Sequence, residues 1–207
     1  TMYHSIRGFF AEGGAAAYIG REVGSTAVVA SDTTTIKDTG GKVALKAKAA
    51  SAGTWGNDLK LVFDEGTGDF TIAVYYDGTL INTSPALDDQ DAAITWAAAN
   101  VADYVYFELG AAESTIPKDQ TTELKSGVDN FNAVSTGTLE TALATFNKDL
   151  GPGQVLAPGR TAEAAQKLLM AHADANNRRA IPDSAAGSAP EAAAEAAALA
   201  DETGARF

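Results

Sequence analysis

The chain has 207 residues, 45% of them hydrophobic, which is enough for one large domain or two small ones with a proper core. It carries 15 Lys and Arg against 27 Asp and Glu, a formal net charge of −12, which argues against wrapping nucleic acid and against docking on an anionic membrane by charge. With no cysteine, disulfides, thiolate chemistry and cysteine-based zinc sites are excluded.

The spacing of Tyr3, Ile6, Phe9 and Phe10 predicts a short amphipathic helix over residues 2–12, with Phe9 and Phe10 at core positions and Gly13-Gly14 as its stop. "AAAYIGREV" reads as a short strand. The polar stretch "ASDTTTIKDTGG" (30–41) reads as a long loop or domain boundary. A block of period two follows. Val43, Leu45 and Ala47 share one face, as do Leu59, Leu61 and Phe63, and then Phe70, Ile72, Val74 and Tyr76. Such alternation marks half-buried antiparallel strands. "DEGTGD" supplies one hairpin turn, and Asp77-Gly78 a second, because that dipeptide accepts the positive φ angles of a tight hairpin. "SPALDDQDAAITWAAANVA" predicts a helix with an acidic start, and "DYVYFEL" a further strand.

After residue 122 the pattern changes. "TLETALATFNKDL" predicts a helix with Leu139, Leu143 and Phe146 on one face, and "GQVLAP" a short buried strand. "TAEAAQKLLMAHADANN" predicts a helix capped by Thr161, with Ala165, Leu168, Leu169 and His172 in a stripe. "RRAIPD" reads as a strand, "APEAAAEAAALADETG" as an Ala-rich helix, and another strand is due at "GARF". Helix and strand in alternation indicate a parallel, layered α/β unit. The expected class is therefore α/β (α+β): a layered α/β domain over 1–40 and 122–207, and an inserted antiparallel β-sandwich or barrel over 41–121.

Motifs that carry chemistry are sparse. "GPGQVLAPGR" has neither P-loop nor dinucleotide-binding spacing, and Pro152 and Pro158 remove two backbone donors a phosphate cradle would use. Arg160 at a helix start could meet an anion but reads better as a surface residue after a turn. There is no G-x-S-x-G elbow, and the only histidines, His4 and His172, both fall in helical patterns. Asp88, Asp89 and Asp91, and the pair Asp64 and Asp69, lack the EF-hand register and read as a helix start and a hairpin turn. Trp55 and Trp96 could face a carbohydrate, but in these patterns core positions are the better reading. The expectation is no catalytic, cofactor-binding or metal residues and no cofactor, in a structural or interaction protein. No apolar run approaches the roughly 20 residues of a spanning helix. The start lacks a signal-peptide layout, and the chain reads as an excerpt of a longer protein.

Four segments, in order, resemble the contractile phage tail sheath family. "HSIRGFFAEGGAAAYIGREV" resembles its "V..FF.NGG..AYVVRV" segment. "AGTWGNDLKL" (52–61) resembles the "PG.WGN.L.V" entry to an inserted β-rich domain, and "LKSGVDNF" (124–131) the "L.GG.DG" hinge that follows it. Residues 142–183 resemble the central domain: a helix, a GPGQV-like strand ending in Pro-Gly, an Ala-rich helix and a strand with an "LD.P"-like end. Departures are Gly20 for a large apolar residue, Asn130 for glycine, and "SAAGS" after Asp183 in place of proline. The resemblance implies a sheath subunit that is no enzyme and no protease, despite the subtilisin-like label of that domain. It implies self-association into hexameric rings stacked around a tail tube, a baseplate as further partner, and a virion location after assembly in the host cytoplasm. It also implies that this chain lacks the flanking parts that exchange strands between subunits. Rival readings are an α/β hydrolase using a carboxylate pair, and a surface or receptor-binding module that never polymerises.

Overall fold

The computed structural model describes residues 2–111, 113–183 and 185. In chain order the elements are α1 (Met2–Ala11), β1 (Ser31–Asp32), β2 (Leu45–Ala49), β3 (Leu59–Glu65), β4 (Phe70–Tyr76) and β5 (Thr79–Thr83). They continue with α2 (Gln90–Asn100), β6 (Val105–Leu109), β7 (Gln120–Glu123), α3 (Thr136–Ala144), β8 (Gln154–Leu156), α4 (Glu163–Ala175) and β9 (Arg179–Ile181). The mixture of helices and antiparallel strands is an α+β fold. The Ala-rich helix expected over 189–204 and the strand due after it lie outside the described residues.

The chain divides into two compact units, residues 23–133 and residues 1–22 with 134–207. The first is a β-sandwich. One sheet has the order β1-β2-β6 and the other β5-β4-β3-β7, with every pairing antiparallel. Leu59, Leu61 and Phe63 of β3 and Phe70, Ile72 and Val74 of β4 all point into the core, as their alternation predicts. They meet Leu45, Ala47 and Ala49 of β2 and Phe107 of β6, and Phe63 lies edge-on to Phe107 across the two sheets at 6.3 Å.

One side of the sandwich is closed where β1 meets β7. Ser31 bridges to Lys125, and the buried Asp32 carboxylate accepts from the hydroxyls of Thr35 and Thr122 and from the N–H groups of Thr34 and Thr35. Along β6, α2 lies against the sandwich and inserts Ala93, Trp96 and Ala97 into its core. The β4–β5 hairpin turns at Asp77 and Gly78, both with positive φ (47° and 74°), as the Asp-Gly signal predicts.

The sandwich reaches beyond the 41–121 span expected of the insertion. Residues 28–37 supply β1 and bridges to Val43, Lys125 and Val128, so the polar stretch 30–41 is part of the β unit. β7 has no apolar alternation (Gln-Thr-Thr-Glu), and its inward residue is a threonine whose hydroxyl is bonded to Asp32.

The second unit is a small layered α/β arrangement. β8 and β9 pair in parallel, with α4 as the connection between them. Leu139 and Leu143 of α3, Val155 of β8, and Ala165, Leu169 and Ala173 of α4 form its buried cluster. Several expectations need correction here. "AAAYIGREV" forms no strand, and Tyr18 and Ile19 are exposed. Phe9 and Phe10 are exposed too, and stand edge-on to each other. The cap of α4 is Ala162, with no side-chain hydrogen bond, in place of Thr161. Its buried stripe runs through Ala165, Gln166, Leu169, Met170 and Ala173, while Leu168 and His172 are only half-buried. Gln166 earns its burial by donating to the backbone carbonyls of Thr161 and Asp183.

Candidate functional site

The residues singled out for chemistry do not converge. His4 is exposed beside the Tyr3 ring. His172 sits on α4, its Nε2 3.3 Å from Arg178 Nη1 and its Nδ1 3.3 Å from Asn176 Nδ2. Burial, then the adjacent Arg178 charge, hold its pKa below the usual histidine value. With donors on both sides and no nucleophile bonded to it, the ring serves packing. Asp89 caps α2 by accepting from Ala92 N at 2.7 Å, and Asp91 lies in that helix's first turn. Asp69 folds back on the β3–β4 turn through its backbone, its C=O accepting from Gly66 N. Among the described residues no three His, Asp or Glu side chains gather closely enough to hold a metal. No described helix is long and apolar enough to cross a membrane.

Asp32 and Asp38 both ionise below the usual carboxylate range. For Asp32, burial opposes the charge, but hydrogen bonds from Thr122, Thr35 and Thr34 together outweigh it. Asp38 is held down chiefly by Thr115 N–H, with Lys42 N–H adding to it; the two bonds measure 2.9 and 2.8 Å. A general acid needs the opposite shift. These carboxylates instead tie loops, Asp32 joining the sheets and Asp38 joining the β1–β2 connection to the segment before β7.

Neither tryptophan presents a binding platform. Trp96 is buried in the sandwich core. Trp55 is half-buried, edge-on to Tyr76 at 6.0 Å, with its indole N–H buried and without a hydrogen-bond partner. A depression of about 590 Å³ lies open on the outer face of the four-stranded sheet, over Val62, Thr71, Ala73, Thr83 and Thr121. Asp64, Asp119 and Gln120 line it as well, but Asp119 accepts from Glu65 N at 2.6 Å and Gln120 is bonded to the backbone of Lys37, so these two serve the fold.

The glycine-rich turns around β8 are architectural. Arg178 donates to the carbonyls of Phe146, Asn147 and Gly151, drawing the α3–β8 connection onto the end of α4. Arg160 donates to Ser135 O, the cap of α3, and lies 3.6 Å from Glu22, which accepts from Thr138 Oγ1 at 2.6 Å. Asp183 accepts from Gly159 N at 2.8 Å. Arg160 therefore holds a protein carboxylate and a helix cap, the place an anion would have taken.

Apolar surface is the remaining feature. In the α/β unit Tyr3, Phe10, Tyr18 and Ile19 are 47–68% exposed, and Leu156 and Ile181, paired across β8 and β9, are also open on the sheet face away from Val155. In the β unit Val28, Val128 and Phe131 are exposed where the chain enters and leaves.

No family model matches the chain, and no curated protein matches it. Among solved structures it is similar to a sheath tail protein of Desulfitobacterium hafniense (TM-score 0.47, 21% identity, 75% of this chain and 34% of that one). It is also similar to the sheath tail protein Lin1278 of Listeria innocua (TM-score 0.49, 16% identity, 74% of this chain and 31% of that one). The chain thus spans about a third of the length of each.

Proposed function

We propose that the chain is part of a contractile tail sheath subunit, a structural protein and not an enzyme. The observation that carries this reading is the order of the four sheath-like segments between residues 4 and 183, together with a physical link between two of them. Asn57, in "AGTWGN", is bonded through its side-chain amide to Gly127, in "LKSGVDN", 70 residues away. Two motifs that bind each other belong to one structural device, which chance similarity would not require.

In this reading residues 23–133 are the inserted β-rich domain, and the flanking unit belongs to the central sheath domain. The full subunit forms hexameric rings that stack around a tail tube above a baseplate, in a virion tail assembled in the host cytoplasm. Contraction moves the lattice from one packing to a more stable one and drives the tube forward for genome ejection. The free energy lies in the difference between two sets of interfaces, so no cofactor is needed. Exposed apolar side chains on the α/β unit suit such assembly, because a large uncovered apolar surface marks an interaction site.

The test is negative-stain electron microscopy of the product of the complete reading frame around this segment, alone and with a candidate tube protein. Rings or tubes are the expected result. A particle that stays monodisperse under both conditions sinks the sheath reading and returns the question to a surface-binding module.

A further inference from the structure

The β unit is entered and left through one narrow neck. Val28 and Val128 exchange both backbone hydrogen bonds, at 2.9 and 3.0 Å, while Gly24 N donates to Asp129 O and Ser25 N to Ala133 O. A two-stranded ladder this short is marginal in water, and Val28 and Val128 are each more than 40% exposed. The neighbouring strands offer little support, since β1 has only two residues.

A third segment straps the two strands together. Gly53 N donates to Val28 O on the entering strand at 3.0 Å. On the leaving strand, Asn57 donates from Nδ2 to Gly127 O (3.0 Å) and accepts from Gly127 N at Oδ1 (2.8 Å). Thr54 gives both its N–H and its hydroxyl to the Asp129 carboxylate, at 3.3 and 2.5 Å. The approach is too close for side chains. A Cβ on Gly127 would sit 2.3 Å from Gly53 O, and one on Gly24 1.9 Å from Asn130 O. Ser126 and Asn130, with φ of 67° and 46°, bend the leaving strand at both ends of this contact, and Asn130 also bonds Thr26 on the entering strand.

We propose that residues 53–57 are a clasp that locks the entry and exit of the β unit into one joint. Load or motion arriving along the chain at residues 22 and 134 meets this clasp before it can peel β1 or β7 from the sandwich. Asn57 is its central positioning residue, because one side chain satisfies both backbone groups of Gly127. The clasp lies wholly within residues 23–133, so it holds whatever the chain assembles with.

The experiment is residue-resolved amide exchange on the full 207-residue chain and its Asn57→Ala variant. The readout is the amides of Gly24, Val28 and Val128, whose own hydrogen bonds the substitution does not touch. Loss of two part-buried hydrogen bonds should speed their exchange about ten-fold, with the β3–β4 ladder changed less than about twofold. If Asn57→Ala fails to fold, Asn57→Asp decides. It keeps the acceptor for Gly127 N–H but sets a carboxylate oxygen against Gly127 O in place of the donor, so the same neck amides should speed up. Unchanged neck amides overturn the clasp. Acceleration of neck and β3–β4 ladder together also overturns it, since the neck would then open only with the whole sandwich.

Discussion

The two units are held together by different means. In the sandwich the buried cluster runs to 19 hydrophobic residues, with Phe63, Phe70, Trp96 and Phe107 among them. In the α/β unit the corresponding described cluster has six, two of them alanine on α4, and no aromatic. Among the described residues of the second unit, arginine side chains join the segments. Arg178 collects three carbonyls and Arg160 ties Glu22 to the start of α3. An apolar core is non-directional and gains from every buried methylene. Guanidinium staples are directional and fix loops to chosen atoms. Such staples fix the α3–β8 connection and the start of α3 in place.

That contrast can be broken unit by unit, because both tryptophans, at 55 and 96, lie in the sandwich. Tryptophan emission therefore follows the β unit alone. The largest effect is expected from Phe63→Ala, which empties the centre of the sandwich. It should cost about 3–5 kcal/mol in denaturant unfolding followed by tryptophan emission. Arg178→Ala should cost the α/β unit about 2–3 kcal/mol, since charged hydrogen-bond donors leave carbonyls unpaired. Amide exchange in α3 and α4 should report it while tryptophan emission stays unmoved. A smaller pair compares glycines. Gly127→Ala drives a Cβ against the Gly53 carbonyl and should destabilise the sandwich by about 1–3 kcal/mol. Gly153→Ala meets nothing within 4 Å and should be neutral or stabilise slightly, by up to about 1 kcal/mol, through the unfolded chain.

The same contrast decides how much of the structure could be read in advance. β3 and β4 were legible because a sheet face buried on one side imposes strict alternation, and Leu59 to Val74 keep it without a break in either strand. β7 was not, because its inward Thr122 is chosen for a hydrogen bond to Asp32 and carries no apolar signal. "AAAYIGREV" reads as a strand because Tyr18 and Ile19 are apolar, but no described strand pairs with it and Gly20 is packed against the Phe146 ring. A large residue at position 20 would collide with Phe146, which accounts for the glycine there. The departure at Asn130 has a similar cause, since its φ of 46° is one that asparagine tolerates nearly as glycine does. The clasp itself was hidden. Its two halves were visible as motifs, but that Asn57 reaches Gly127 is a fact of tertiary folding that no local pattern carries.

The finest separation of the two units is by pH, and the signs follow from opposite chemistry in a shared direction. Asp32 is held below the usual carboxylate range in the fold, by hydroxyl and amide donors acting against burial. Its contribution is complete above the unfolded value of about 3.9 and is lost as pH falls through the lower folded value. The sandwich should therefore keep its full stability to about pH 4 and weaken below it, and Asp32→Asn should flatten that loss. His172 is also held low, but from an ordinary value near 6.5. Folding favours its neutral form, so its contribution is complete above about pH 6.5 and declines as pH falls through its folded value. The α/β unit should begin to loosen in mildly acidic solution, where the sandwich is unaffected. The effect is small, because the ring is only half-buried. Amide exchange in α4 between pH 7 and 5, corrected for intrinsic rates, should show local opening that His172→Gln abolishes, while tryptophan emission stays constant. If α4 opens equally in the glutamine variant, the imidazole is a bystander in that opening.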